Sequence, residues 1–440
     1  MMNPSPTFCP LPWMHVFVAA DGIFYPCCRS VDAQTPNVDH LGKPQRFHSG
    51  ESIVTAWNSD FMRAVRTDML AGRRPPACAG CFAVEDLGGE SDRQMINRLY
   101  PQYVREALSA AVDDGRIECK PRTLDLRVGN ICNLQCRMCS PRLSKGLLNE
   151  FKMLHGLSDD SEYVRSASRP SWFESENALE AITKLAPYLD EIQFAGGEPL
   201  IAPSMFALLR RLCDAGYNEQ IELAYITNAS VLPKDLSQLW PRFKGVRLAA
   251  SVDALDAING LIRYPSNWDN TVRNLTELDL NPESYNCSRL RIFTTVQIYN
   301  IFYLEPLIHF IWRELRTFSP FPNFILLTEP DCFSIQALPP FLKERATATL
   351  TALLQKEDAY WRPRATDHQV TEFKDKIRTI IAFMNQIDRS DGVNEFLRRN
   401  EFHDSYRGQD SLRLIPELAE IAAWAERRTP KSRSPRAANK

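Results

Sequence analysis

The sequence predicts an α/β protein built on a parallel sheet, with smaller attachments on either side. Six β-prone segments lie between residues 121 and 337: Leu124–Val128, Glu191–Phe194, Glu222–Ile226, Val246–Ser251, Arg291–Gln297 and Asn323–Leu327. Helical stretches separate them, for example Pro203–Ala215 and Leu304–Leu315. Crossovers of that length imply parallel pairing, and ligands of such sheets gather at the carboxyl ends of the strands. A chain of 440 residues also exceeds the usual single domain.

Residues 1–100 form a loop-rich element with cysteines at 9, 27, 28, 78 and 81. Trp13–Ala19 is apolar and β-prone, Ala20-Asp21-Gly22 is a turn signal, and Ile23–Tyr25 resumes the strand. This hairpin delivers Cys27 and Cys28 close to Cys9. Ile53–Leu70 reads as one amphipathic helix closed by Gly72, ahead of Pro75-Pro76 and a Cys78–Cys81 turn. Residues 101–120 read as a linker, and 338–426 as a helical region with apolar periodicity through Leu350–Leu354 and Ile377–Met384. The basic stretch 427–440, rich in Pro, Ser and Ala, reads as a disordered tail.

A net charge of −2 gives no reason to expect a nucleic-acid or acidic-membrane partner. No signal-peptide pattern opens the chain and no long apolar run crosses it, so the expected compartment is cytoplasmic. Twelve cysteines in a reducing compartment point to metal or catalysis rather than disulfides.

After the first strand comes Gly129-Asn130-Ile131-Cys132-Asn133-Leu134-Gln135-Cys136-Arg137-Met138-Cys139. Iron–sulfur clusters normally take four thiolates, so three on one short loop leave one iron open for another ligand. Structural zinc wants four ligands, usually in pairs, and fits this spacing poorly. Three later segments fall at successive strand ends: Gly196-Gly197-Glu198-Pro199, Thr227-Asn228-Ala229 and Ser251-Val252-Asp253, with Arg263 shortly after.

In this order the motifs resemble the radical S-adenosylmethionine (SAM) superfamily. The resemblance implies a partial (β/α)6 barrel and a 4Fe–4S cluster on Cys132, Cys136 and Cys139. It also implies SAM contacts from Gly196, Gly197, Glu198, Asn228, Ser251, Asp253 and Arg263. The reduced cluster would cleave SAM to a 5′-deoxyadenosyl radical that takes a hydrogen atom from substrate. Two positions depart from the pattern: Met138 stands where an aromatic residue is frequent, and Ala229 where glycine is usual.

Spacing alone leaves Cys9, Cys27, Cys78 and Cys81 open to zinc or to a closed cluster, with Cys28 as a spare or as a replacement for Cys27. The segments Cys9–Trp13, Asp21–Cys28 and Trp57–Cys81 resemble the auxiliary-cluster element of SPASM and twitch domains, here ahead of the barrel rather than behind it. This resemblance implies a second 4Fe–4S cluster, an electron donor such as flavodoxin or ferredoxin, and a peptide or protein substrate. Radical SAM oxidation or rearrangement of a small metabolite is a second reading, and a non-catalytic iron–sulfur carrier is a third. The residues single out no catalytic acid or base. Arg398-Arg399, His403 and Arg407 read as a solvated polar helix face, and His15 as a packed side chain.

Overall fold

A computed structural model describes residues 4–428 apart from 87, 111 and 113. Residues 429–440, the bulk of the expected tail, lie outside the described residues; Arg427 and Arg428 end a helix. Eight strands form one sheet: β1 (His15–Val18), β2 (Phe24–Tyr25), β3 (Thr123–Arg127), β4 (Glu191–Ala195), β5 (Glu222–Thr227), β6 (Gly245–Ser251), β7 (Cys287–Val296) and β8 (Asn323–Leu326). Their order is β2-β1-β3-β4-β5-β6-β7-β8, and every neighbour is parallel except the β1–β2 hairpin.

The six expected strands are all present. Alternation decides what each face does. Leu124, Leu126, Ile192, Phe194, Leu223, Tyr225, Val246, Leu248, Leu290 and Ile292 share a core with Leu208, Leu212 and Leu275 of the crossover helices. The intervening residues, Asp125, Gln193, Ala224, Arg247 and Arg291, face the other way, into the barrel. A second core joins the far end of β7 to the C-terminal helices through Val296, Tyr299, Phe333, Ile377 and Phe396.

The N-terminal hairpin does more than bring cysteines together. β1 pairs in parallel with β3, His15 opposite Thr123 and Val18 opposite Leu126, so the cysteine-rich element extends the barrel sheet. His15 is half-buried and its Nδ1 lies 2.8 Å from Thr123 Oγ1. Three local expectations are corrected. Trp13 and Met14 belong to a helical turn, Leu11–Met14, because Pro10 and Pro12 suit a helix start and not a ladder. The expected helix 53–70 is two, Gly50–Trp57 and Asp60–Leu70, broken where the Ser59 hydroxyl accepts from Met62 N at 3.2 Å. The segment Cys78–Cys81 is no simple turn: it runs from a 3₁₀ turn, Pro76–Cys78, into the helix Ala79–Asp86.

Within 101–120, Pro101–Ala110 is a helix that buries Val104 and Ala107. The C-terminal region contains the helices Pro340–Leu354, Asp367–Gln386, Val393–Arg407 and Pro416–Arg428. Among the described residues no helix is long and apolar enough to cross a membrane.

Candidate functional site

The loop that leaves β3 is clamped along its backbone. Gly197 N donates to Gly129 O at 2.8 Å and Glu198 N to Ile131 O at 2.7 Å. Arg137 N donates to Ile262 O at 2.8 Å and Lys145 N to Asn130 O at 2.8 Å. A Cβ on Gly197 would collide with the Ile131 carbonyl, and one on Gly196 would stand 3.0 Å from Gly129 O. Gly196 also holds φ +114°. The glycine pair therefore serves first to let the β4 end lie against the cysteine loop.

Glu198 is buried and its carboxylate is fully engaged. One oxygen accepts from Leu200 N at 3.0 Å and Thr227 Oγ1 at 2.7 Å; the other accepts from Asn228 N at 2.7 Å. It is a strut between the ends of β4 and β5. Burial raises its pKa against the pull of these donors. Asn228, so positioned, donates to Asn133 Oδ1 at 2.9 Å and has its Nδ2 3.9 Å from Cys132 Sγ. Leu134 N donates to the same sulfur at 3.4 Å.

Cys132, Cys136 and Cys139 are half-buried and their charges interact, and burial pushes the Cys132 and Cys139 thiols up to about 12. Beside Cys136 lies a buried ion pair, Arg263 Nε to Asp253 Oδ2 at 2.8 Å. Asp253 Oδ1 accepts from Thr295 N at 2.8 Å. Asp253 and Arg263 are thus brought together, whereas Ser251, at the end of β6, makes no hydrogen bond from its hydroxyl among the described residues. Among the described residues, Gln297 Oε1 and Arg407 Nη1 are buried without a hydrogen-bond partner. This donor set fits a negatively charged cluster: three thiolates from one loop, N–H groups on a sulfur, and the charges of Arg263 and Arg407 close to Cys136.

Sequence reasoning missed the clamp that holds this loop from the far end of the chain. Arg137 has no exposed side-chain surface. It pairs with Asp404, donates to Asn400 Oδ1 at 2.8 Å and Gln409 Oε1 at 2.9 Å, and lies over the Tyr299 ring. One turn along the same helix, His403 and Arg407 are 5 % and 9 % exposed and both engage buried Glu150, Arg407 at 3.0 Å. The expected solvated face is therefore wrong for these two, because Glu150 and the cluster loop cover them. Arg398 and Arg399 do lie at the surface side and pair with Glu395. Arg137 sits inside the cysteine motif, which was the one signal available. Nothing local marks its partners more than 260 residues later.

The N-terminal cysteines assemble from three segments, around Cys9, around Cys27 and along Cys78–Cys81. Cys9 interacts electrostatically with Cys27, Cys78 and Cys81, and burial raises all four thiols, Cys81 to about 11. Cys28 is exposed and its neighbours include Asp125 and Arg127 of β3, so Cys27 is the residue grouped with the other three. Arg93 ties the set together: it pairs with Glu85 at 2.6 Å and donates to Phe8 O at 2.9 Å. Arg66 is fully buried, no acid pairs with it among the described residues, and it donates to the carbonyls of Pro12, Trp57 and Gly115 at 2.8, 2.6 and 3.0 Å. Among the described residues no three Cys, His, Asp or Glu side chains converge on one point as a single ion requires.

Comparison with known proteins agrees with this geometry. Residues 126–284 match the radical SAM superfamily, and residues 9–82 match the SPASM iron–sulfur cluster-binding domain. The stretch 126–284 is thus a radical SAM domain, of the superfamily that works with a 4Fe–4S cluster and SAM. More particularly, this chain carries a SPASM-type domain for auxiliary iron–sulfur binding, and carries it ahead of the radical SAM domain. No curated protein matches the chain significantly. Among solved structures, hexahistidine-tagged anSMEcpe with bound AdoMet is similar at 17% identity and TM-score 0.34, covering 49% of this chain and 54% of that one. Streptococcus suis SuiB bound to precursor peptide SuiA is similar at 13% identity and TM-score 0.30, covering 61% and 55%. The chain thus spans little more than half the length of these structures.

Proposed function

We propose that this chain is a radical SAM enzyme acting on a peptide or protein in the cytoplasm, with electrons from a flavodoxin- or ferredoxin-type donor. Cys132, Cys136 and Cys139 would hold the SAM cluster, and Cys9, Cys27, Cys78 and Cys81 an auxiliary 4Fe–4S cluster. The observation that carries the reading is the three-thiol loop zipped to the β4 end, with Asp253–Arg263 beside Cys136. When bound, the cluster and SAM together supply reductive C–S cleavage and hydrogen-atom abstraction from substrate.

The chain's own residues orient and enclose. Gly196 and Gly197 fix the loop against β4, the Glu198 strut sets Asn228 beside Cys132, and Ser251 offers an unpaired hydroxyl at the strand ends. The helix Val393–Arg407 braces the loop where Arg137 meets Asn400, and its His403 and Arg407 hold Glu150 beside it. Cys9, Cys27, Cys78 and Cys81 supply four thiolates, enough to close a cluster completely. The peptide reading follows from the SPASM-type domain, since enzymes with that element often act on ribosomally made peptides.

Anaerobic reconstitution with iron and sulfide, then an iron count and a 5′-deoxyadenosine assay with SAM and dithionite, tests this. About eight irons per chain are expected, with SAM-derived 5′-deoxyadenosine. Absence of 5′-deoxyadenosine from a fully loaded protein would overturn the reading, and about four irons with bound zinc would overturn its auxiliary-cluster half.

A further inference from the structure

The inner face of the barrel is charged, and most of its charges are matched. Arg127 pairs with Asp125 at 3.2 Å. Arg247 pairs with Glu191 and, at 3.0 Å, with Glu222. The exceptions lie together on β7. Arg289 and Arg291 occupy alternate positions of one strand and so share its inner face, Arg289 exposed and Arg291 half-buried, and neither makes a hydrogen bond or ion pair among the described residues.

Register makes the arrangement starker. Arg289 lies opposite Arg247 and Arg291 opposite Ala249, so three guanidinium groups share two adjacent strands. Like charges facing one another across a ladder are destabilising unless something offsets them. Ala249 on β6 and Ala224, opposite Arg247 on β5, are small, whereas Ile226, the β5 residue opposite Ala249, is large. Arg291 is half-buried. Burial and the charge of Arg289 pull its pKa below the ordinary arginine value, against the pull of Glu372. Glu372 itself is engaged by Lys376 at 2.7 Å.

We propose that Arg291, assisted by Arg289, is the site that receives an oxyanion of the substrate, a carboxylate or a phosphate, inside the barrel. The inference rests on the reading that substrate occupies this barrel. A guanidinium matches either oxyanion in a two-pronged hydrogen bond, and a half-buried one without a partner is worth more than one in bulk water. Docked there, the anion would hold the rest of the substrate toward the strand ends, where Ser251 and the cysteine loop lie.

Arginine footprinting on the reconstituted, SAM-loaded protein tests the site without turnover. Phenylglyoxal adducts at each arginine are counted by mass spectrometry, alone and with N-acetyl-glutamate amide or inorganic phosphate. Arg291 should react in the free protein, and Arg247, held by two carboxylates, should not. The matching anion should slow modification of Arg291 by about tenfold, the weight of one hydrogen bond to a charged group. Protection by N-acetyl-glutamate amide supports the carboxylate, and protection by phosphate supports the phosphate. An unreactive Arg291, or one that neither probe protects, overturns the proposal. Because 5′-deoxyadenosine formation is measured separately on the same preparation, loss of the radical SAM reading shows up in that assay and not in the footprint.

Discussion

The two cysteine sets are built in opposite ways. Cys132, Cys136 and Cys139 lie within one loop whose backbone is pinned by β4, by the segment around Ile262 and, through Arg137, by a helix near the end of the chain. Cys9, Cys27 and the pair Cys78 and Cys81 come from three separate segments, and side chains do the gathering: Arg93 on Phe8 and Glu85, Arg66 on Pro12, Trp57 and Gly115. A loop fixed by its backbone tolerates loss of any one neighbour. A site gathered by two arginines depends on both. One design suits an iron that must stay open, the other a cluster that is closed on all sides.

The largest effect should come from the loop itself. Cys136→Ala is expected to abolish 5′-deoxyadenosine formation and to lower the iron count by about four, leaving the N-terminal cluster in place. Retained SAM cleavage in that variant would break the contrast outright. Paired Cys78→Ala and Cys81→Ala should remove a similar amount of iron and stop product formation, yet leave part of the SAM cleavage. Normal product yield would show that the N-terminal set is structural.

A smaller effect is expected from the far clamp. Arg137→Met leaves Asp404 and Asn400 without their buried partner and should cost about 3 kcal/mol of stability, read by denaturant unfolding of the metal-free chain. An unchanged midpoint would mean that the C-terminal helix does not hold the loop. Glu198→Gln presents an NH₂ to donors now facing carboxylate and should cost about 2 kcal/mol, with weaker SAM binding in a direct titration. The smallest change is a gain. Ala229 holds φ +54°, so Ala229→Gly should stabilise by about 1 kcal/mol in the same unfolding experiment.

Much of this was legible in the sequence because it is local. β-prone segments set between helical stretches located the six barrel strands, and the turn at Asp21-Gly22 located the hairpin, where Gly22 has φ +82°. The cysteine motif and Gly196-Gly197 were readable as motifs, but the physical duty of the glycines was not. Gly196 lies against the Gly129 carbonyl and Gly197 against that of Ile131, contacts between loops more than 60 residues apart. The parallel pairing of β1 with β3 was hidden for the same reason, since no residue near His15 names Thr123 as its partner. Polar side chains misled most. His403 and Arg407 look like surface residues until Glu150, some 250 positions earlier, is folded against them.

That β1 lies beside β3 also has a consequence for synthesis. His15 leaves the ribosome 108 residues before Thr123. At bacterial or eukaryotic rates that is a wait of roughly 5–20 s. Throughout it, one edge of the hairpin has no strand to bond to, an open template of the kind that recruits other chains. The nascent cysteine element is therefore at its most vulnerable before the barrel has begun, and loading its metal early would tie down the segments around Cys9 and Cys27 while β1 waits.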